Sequence, residues 1–393
     1  MRVGSLYARC RAQSCDPVSG PRFRSACADI CKLLKLAQLS GFVASRLVPV
    51  ALVVAALTGL TACNQGPAPL ILEGPTMGTR YLVAVHDPVL SRSEATALVT
   101  AALDEVTRML SNWEPDSEVS RLNAHCGAQF VIDGGTTADA EPVAGGERVA
   151  WGETATATAD VGTEMAVAGQ MTNAAGDGTS KPFAVSPGFV EVALAARTVH
   201  AQSEGAFDPS VVPVSALWGF GPGIKPGSVS LPPAASAIAA ALESVDYGAL
   251  KIDPATSTLA CTRPGMALDF SALGKGYGVD RVLEALQAAG VENALVEIGG
   301  EVRAIGQKRN GEPFRVGIAL PVVGADGLMG ERTLRDAAVA TSGNYRNFIE
   351  LGGERFGHLM DPRSGWPVDT RLAAVSVEAQ TTMMADAWAT ALM

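Results

Sequence analysis

Asp269-Phe270-Ser271-Ala272-Leu273-Gly274-Lys275-Gly276-Tyr277-Gly278 places a carboxylate, a lysine and three glycines within ten positions, just ahead of apolar helical spacing over Val279 to Ala289. Glycines let a backbone approach an anion closely, a lysine adds a point charge, and a helix start offers unpaired N–H groups with the positive end of the dipole. The stretch therefore reads as a phosphate-holding turn between a short strand, Ala267 to Phe270, and a helix. It is not a P-loop, because Gly276 follows Lys275 where Ser or Thr is required and Asp269 stands where the first glycine should be. The dinucleotide fingerprint fails as well, since Gly274, Gly276 and Gly278 have the wrong third spacing.

Outward from that segment, alternation predicts strands at Thr79 to His86, Ala294 to Ile298, Glu301 to Ile305, Phe314 to Leu320, Ala337 to Thr341 and Arg346 to Glu350. Helical spacing predicts Ser93 to Leu110, Gly188 to Gln202, Pro233 to Ser244 and a last helix from Thr382. Ser111 to Asn123 reads as a polar turn. Short strands joined by hairpin turns, with helices interspersed, predict an α+β fold. Residues 131–182 are rich in Thr, Ala, Gly, Val and Asp with no sustained period, which reads as a solvated insertion.

The N-terminal part is a different kind of sequence. Basic residues run to Arg46, fourteen residues from Leu47 to Leu60 are largely apolar, and Leu60-Thr61-Ala62-Cys63 follows. A membrane span needs about 20 apolar residues, so the run fits a signal h-region. The tetrapeptide resembles a bacterial lipobox, which implies a leader over residues 1–62, lipidation at Cys63 and a tether over 63–76. An exported protein held to a bacterial membrane by a lipid anchor and facing the periplasm is the expectation.

The leader carries eight of the 30 Lys and Arg but two of the 40 Asp and Glu, so the remainder is acidic by 16 charges. That excludes a nucleic-acid partner. Beyond Cys63 only Cys126 and Cys261 remain, so a packed core, not a disulfide framework, is expected to hold the domain.

Several polar clusters are not demanded by packing. Asp386 and Thr390 are four apart on the predicted last helix, which sets two hard oxygens on one face and suits magnesium or calcium. His358 precedes a glycine-ended turn, Met360 to Gly365, a loop position that favours function. Phe207-Asp208-Pro209 and Thr341 to Arg346 are similar.

Together with Met77-Gly78-Thr79, Trp113 to Asn123, Gly205 to Pro209, Leu217 to Pro222, Leu268 to Arg281, Val296 to Glu301, His358 to Pro367 and Ala385 to Leu392, these pieces resemble, in order, the ApbE family of FAD:protein FMN transferases. The resemblance spans residues 77–393, interrupted by the insertion. It implies a T-fold-like arrangement of mixed or antiparallel sheets with packed helices. It also implies FAD held with Mg²⁺ on its pyrophosphate, flavin contacts from Met77, Trp113, Ala206, Phe207, Asp208, Lys275 and His358, and metal ligands at Asp386 and Thr390 with backbone oxygens of Ala272 and Ala389. The implied activity moves FMN from FAD to a Thr or Ser hydroxyl of a target protein and releases AMP, with His358 as base. The implied partner is an exported domain of a membrane respiratory flavoprotein. An FAD pyrophosphatase and a non-catalytic FAD-binding lipoprotein use the same residues and stay open here. The sequence stops three residues after Thr390, which predicts a last helix with little support behind it.

Overall fold

The computed structural model describes residues 68–86, 88–127, 180–222, 224, 228–322, 324, 327–345, 347–368 and 372–393. Cys63, the leader and residues 131–179 of the expected insertion lie outside them. Pro69–Met393 form one compact unit. No helix among the described residues is long and apolar enough to cross a membrane.

The frame is a six-stranded, fully antiparallel sheet. Its strands are β1 (Leu70–Thr76), β2 (Thr79–His86), β3 (Asn293–Ile298), β4 (Glu301–Ile305), then, after a separate hairpin of Phe314–Ala319 with Leu328–Leu334, β5 (Ala337–Gly343) and β6 (Ala374–Ala379). The order across the sheet is β1-β2-β3-β4-β5-β6. Antiparallel strands with one wetted face should alternate, and in β3 Ala294, Val296 and Ile298 are buried while the intervening residues are not. The α+β expectation holds, with antiparallel pairing throughout this sheet.

The expected tether overlaps β1, and that part is corrected. Leu70–Thr76 pairs in full with β2 through a two-residue turn at Met77 and Gly78, both with positive φ (46° and 71°). Such a turn matches the twist of a hairpin, and it holds Met77, a non-glycine, in the left-handed region. Pro75 is tolerated because β1 is an edge strand.

Seven α-helices lie among the described residues: α1 (Arg92–Leu110), α2 (Glu118–His125), α3 (Pro187–Gln202), α4 (Val212–Leu217), α5 (Ala235–Leu242), α6 (Ser271–Ala288) and α7 (Thr382–Ala391). Ser91 starts α1 with a capping box, its hydroxyl accepting from Glu94 N–H while the Glu94 carboxylate accepts from Ser91 N–H. The polar turn expected over Ser111 to Asn123 runs into α2, capped by Ser117. Ala267 to Phe270 is not a strand.

The segment from Asp269 to Gly278 is not the glycine turn its sequence suggests. Helix α6 begins at Ser271, so Gly274, Lys275, Gly276 and Gly278 are helical and not a phosphate loop. Asp269 accepts from the Ser271 N–H at 2.7 Å just ahead of the helix, whose N-cap is Phe270. One side of α6 (Val279, Val282, Leu283, Leu286) shares a core with the sheet and α1, while Leu273 and Tyr277 share another with α3 and with Met383 and Ala387 of α7.

Gly276 is required because α7 crosses there. A Cβ at Gly276 would lie 2.5 Å from the Thr382 carbonyl oxygen and 2.8 Å from Met383 Cα, whereas one at Gly274 would meet only Leu110 Cδ1 at 3.8 Å. In an open helix Gly→Ala stabilises by about 1 kcal/mol. Gly274→Ala should therefore raise the melting temperature. Gly276→Ala should lower stability, because a backbone clash of this kind costs about 1–3 kcal/mol or more and exceeds the helical gain. Thermal melts of the two variants check the contrast.

Candidate active site

Helices α6 and α7 are locked together by Asp280. Its carboxylate accepts from the Thr382 N–H and hydroxyl at 3.0 Å each and from the Met383 N–H at 2.9 Å, which satisfies the first amides of α7. Arg303 on β4 pairs with the same carboxylate at 2.6 Å. Sheet, α6 and the start of α7 are thus fixed to one acid.

One turn along α7, Asp386 is 2 % exposed and accepts from the Gly276 N–H at 3.0 Å. That amide is the one an undistorted helix gives to the Ala272 carbonyl, so Asp386 and Ala272 compete for a single donor. Thr390 follows, its hydroxyl 2.9 Å from the Ser342 hydroxyl at the end of β5.

Lys275 faces this corner from α6. Its ammonium lies 3.2 Å from Glu301 Oε1, and Glu301 is 2 % exposed. Burial works against the lysine's charge, but the carboxylates of Asp386 and Glu301 outweigh it and raise its pKa. Burial pushes Glu301 up to about 8, with Asp386 adding to the rise and Lys275 opposing it. Burial also pushes Asp386 up, against Lys275 and the Gly276 amide. Both carboxyls are thus held toward their protonated forms, and a bound cation would favour the ionised ones.

A cleft of about 1850 Å³ opens over these residues. It exceeds the usual volume of roughly 300–1,000 Å³ for a small-molecule pocket, which leaves room for a dinucleotide and part of a second substrate. Met77, Trp113, Ala206, Phe207, Lys275 and His358 all line it, as do Asp208, Ala272, Asp386 and Thr390. Of the expected site residues among the described ones, only Ala389 stands apart; it is fully buried and does not line the cleft.

Residues in the cleft wall are not equally free to act. Trp113 is 67 % exposed and can stack on a planar ring. Asp208 is engaged by the protein: one oxygen accepts from the Ser210 N–H and hydroxyl, the other from the Tyr247 N–H at 3.1 Å, with His200 Nδ1 3.5 Å away. It shapes the loop that presents Ala206 and Phe207. His358 Nδ1 lies 3.2 Å from the Asn347 carbonyl, which can only accept, so Nδ1 carries the proton and Nε2 the lone pair. Burial lowers the His358 pKa, the Asn347 carbonyl opposes this, and the Lys275 charge lowers it further. The ring is therefore neutral at pH 7.

Near the cleft floor, Asn123 of α2 holds the chain entering α6, donating to the Leu268 carbonyl at 2.9 Å and accepting from the Leu268 N–H at 2.7 Å. Cys126, which caps α2, is bonded to Cys261 across 135 residues of sequence. The domain does rest on a packed core, but the two cysteines left unpaired by the sequence reading cross-link it.

The donors around Asp386 and Thr390 fit a hard divalent cation: a carboxylate and a hydroxyl one turn apart on α7, with Ala272 of α6 lining the same cleft. Glu301 and Asp280 did not stand out in sequence as site residues. The only local signal was the Gly299-Gly300 pair, which turns the chain so that Glu301 enters β4 facing inward.

The model of the ApbE family matches residues 167–393. The FAD:protein FMN transferase of Vibrio cholerae is 32 % identical over 341 residues, covering 86 % of this chain and 85 % of its own. Among solved structures, the flavin transferase ApbE from Vibrio cholerae superposes with a TM-score of 0.62 at 31 % identity, covering 83 % of this chain and 87 % of its own. The apo form of the flavinyl transferase ApbE from Pseudomonas stutzeri gives 0.62 at 30 % identity, covering 83 % and 84 %.

Proposed function

Because the chain belongs to the ApbE family, we propose that it is a magnesium-dependent FAD:protein FMN transferase that moves FMN from FAD onto a threonine or serine hydroxyl of an acceptor protein. The observation that carries the reading is the buried corner of Asp386, Glu301 and Lys275 in the cleft wall, where two carboxylates meet one ammonium. Asp386, Thr390 and the Ala272 carbonyl would hold Mg²⁺; Ala389, buried away from the cleft, is left out of the set. A Mg²⁺ ion held there would supply charge neutralisation at the pyrophosphate and at the leaving phosphate.

The chain's own groups do the rest. Lys275 directs its ammonium at the pyrophosphate, whose spread negative charge otherwise repels a nucleophile. Met77, Trp113, Ala206 and Phe207 form the apolar wall for the flavin, and Asp208 fixes the loop carrying two of them. His358 Nε2 takes the proton from the acceptor hydroxyl. The hydroxyl oxygen then bonds to the FMN phosphorus, the bridging P–O bond breaks, and AMP leaves with its electron pair.

The same reading has the enzyme anchored to a bacterial membrane through Cys63 and facing the periplasm, where exported domains of respiratory flavoproteins would be its acceptors. A cross-link between Cys126 and Cys261 supports this, since disulfides persist in oxidising compartments.

The test is a flavinylation assay: full chain, FAD, Mg²⁺ and an exported, threonine-bearing acceptor domain, read by in-gel flavin fluorescence. The acceptor should become fluorescent, and removing the ion with EDTA should abolish labelling until Mg²⁺ is restored. Labelling that survives chelation would remove magnesium from the reading.

A further inference from the structure

Glu301 has no assigned part in the chemistry above, yet it is the immediate partner of Lys275. It opens β4 behind the Gly299-Gly300 turn, with φ of 63° and 109° at the two glycines. Oε1 takes the Lys275 ammonium at 3.2 Å, while Oε2 is buried without a hydrogen-bond partner. A buried acceptor left unsatisfied is destabilising, and a second carboxylate nearby adds to that.

What this arrangement achieves is seen from the other carboxylate. Among the described residues Lys275 makes its ion pair with Glu301 and none with Asp386, whose own contact is the Gly276 N–H. Lysine is a point charge on a four-carbon stem that can swing. Without Glu301, the buried anion left for it is Asp386. An ammonium closed onto Asp386 would occupy the oxygens a cation needs and would turn away from the pyrophosphate.

We propose that Glu301 is a positioning residue that holds the Lys275 ammonium off Asp386, keeping that carboxylate open to a divalent cation. The proposal rests on the magnesium site read above. It adds a division of labour: Glu301 serves the lysine so that Asp386 can serve the ion. A plain loss of negative charge at Glu301 would also weaken a cation, but its effect would be independent of Lys275.

Calorimetric titration of Mg²⁺ alone into the full chain separates the two, using Glu301→Gln, Lys275→Met and the double variant. The first should weaken Mg²⁺ by roughly tenfold, and the added Lys275→Met should bring affinity back to within about threefold of the Lys275→Met single variant, a coupling characteristic of contacting residues. Effects that add to within about twofold would overturn the proposal. Should Glu301→Gln fail to fold, Glu301→Asp keeps the charge one methylene short and should show a smaller weakening, relieved in the same way. No flavin or acceptor is present, so failure of flavin transfer with this coupling intact would count against the activity only. Absence of Mg²⁺ binding in the parent chain would overturn the cation site and this proposal together.

Discussion

Replacing His358 with alanine should lower flavin transfer by roughly 10²- to 10⁴-fold, the usual contribution of a positioned general base, and leave FAD affinity nearly unchanged. The expectation follows from the tautomer. Nδ1 donates to the Asn347 carbonyl, which leaves the Nε2 lone pair as the ring's proton acceptor in a cleft that also holds Lys275. Burial and the Lys275 charge keep the ring neutral, so the acid limb of the rate should fall with a midpoint below the ordinary histidine value of 6.5. The sign is fixed: protonation removes the base, so activity is lost as pH falls and not as it rises. That limb should vanish in His358→Ala. Single-turnover transfer measured against pH, alongside FAD titration, checks both parts; a variant with the parental rate would remove His358 from the chemistry.

Asp280→Ala should be the most damaging single change to stability, at about 3–5 kcal/mol, the range for stripping one partner from a buried ion pair. It leaves Arg303 without its carboxylate and unseats the first amides of α7. Because the same helix carries Asp386 and Thr390, cation affinity should fall with stability. Asp280→Asn, which keeps one acceptor oxygen, should lose less of both. Urea unfolding of the two variants gives the comparison, and a loss under 1 kcal/mol for alanine would contradict the role assigned to this acid.

Much of the sheet was legible because β3 alternates in burial along its whole length and β2 does so from Leu82 to His86. Asp386 with Thr390 was legible because four-residue spacing on a helix is a local property. The Gly274 to Gly278 run was misread for a physical reason: local propensity treats glycine as a helix breaker, whereas here α7 lies so close to α6 that only glycine fits at Gly276. Tertiary packing overrode propensity, and no periodicity in the segment reports a neighbouring backbone. Pro75 and Gly74 hid β1 in the same way, since edge position, which makes proline tolerable, is a property of the sheet.

The residues hardest to see were those whose roles exist only by contact across the chain. Asp208 resembles a ligand-binding acid in sequence; it lines the cleft and at the same time accepts from Ser210 and Tyr247. Glu301 looks like an ordinary strand residue and turns out to hold the lysine. The phosphate role of Lys275 stays a proposal with a changed warrant: the position of the ammonium comes from Glu301 and the helix pair, not from a glycine loop.

The most direct test of the central claim is the ratio of AMP released to flavin covalently attached, measured with the full chain, FAD, Mg²⁺ and a threonine-bearing acceptor domain. One AMP for each flavin on the acceptor, lost when the acceptor threonine is replaced by alanine, is the predicted result. AMP release without labelled acceptor would make the protein a hydrolase of FAD, and neither product would contradict the assignment of chemistry to this cleft.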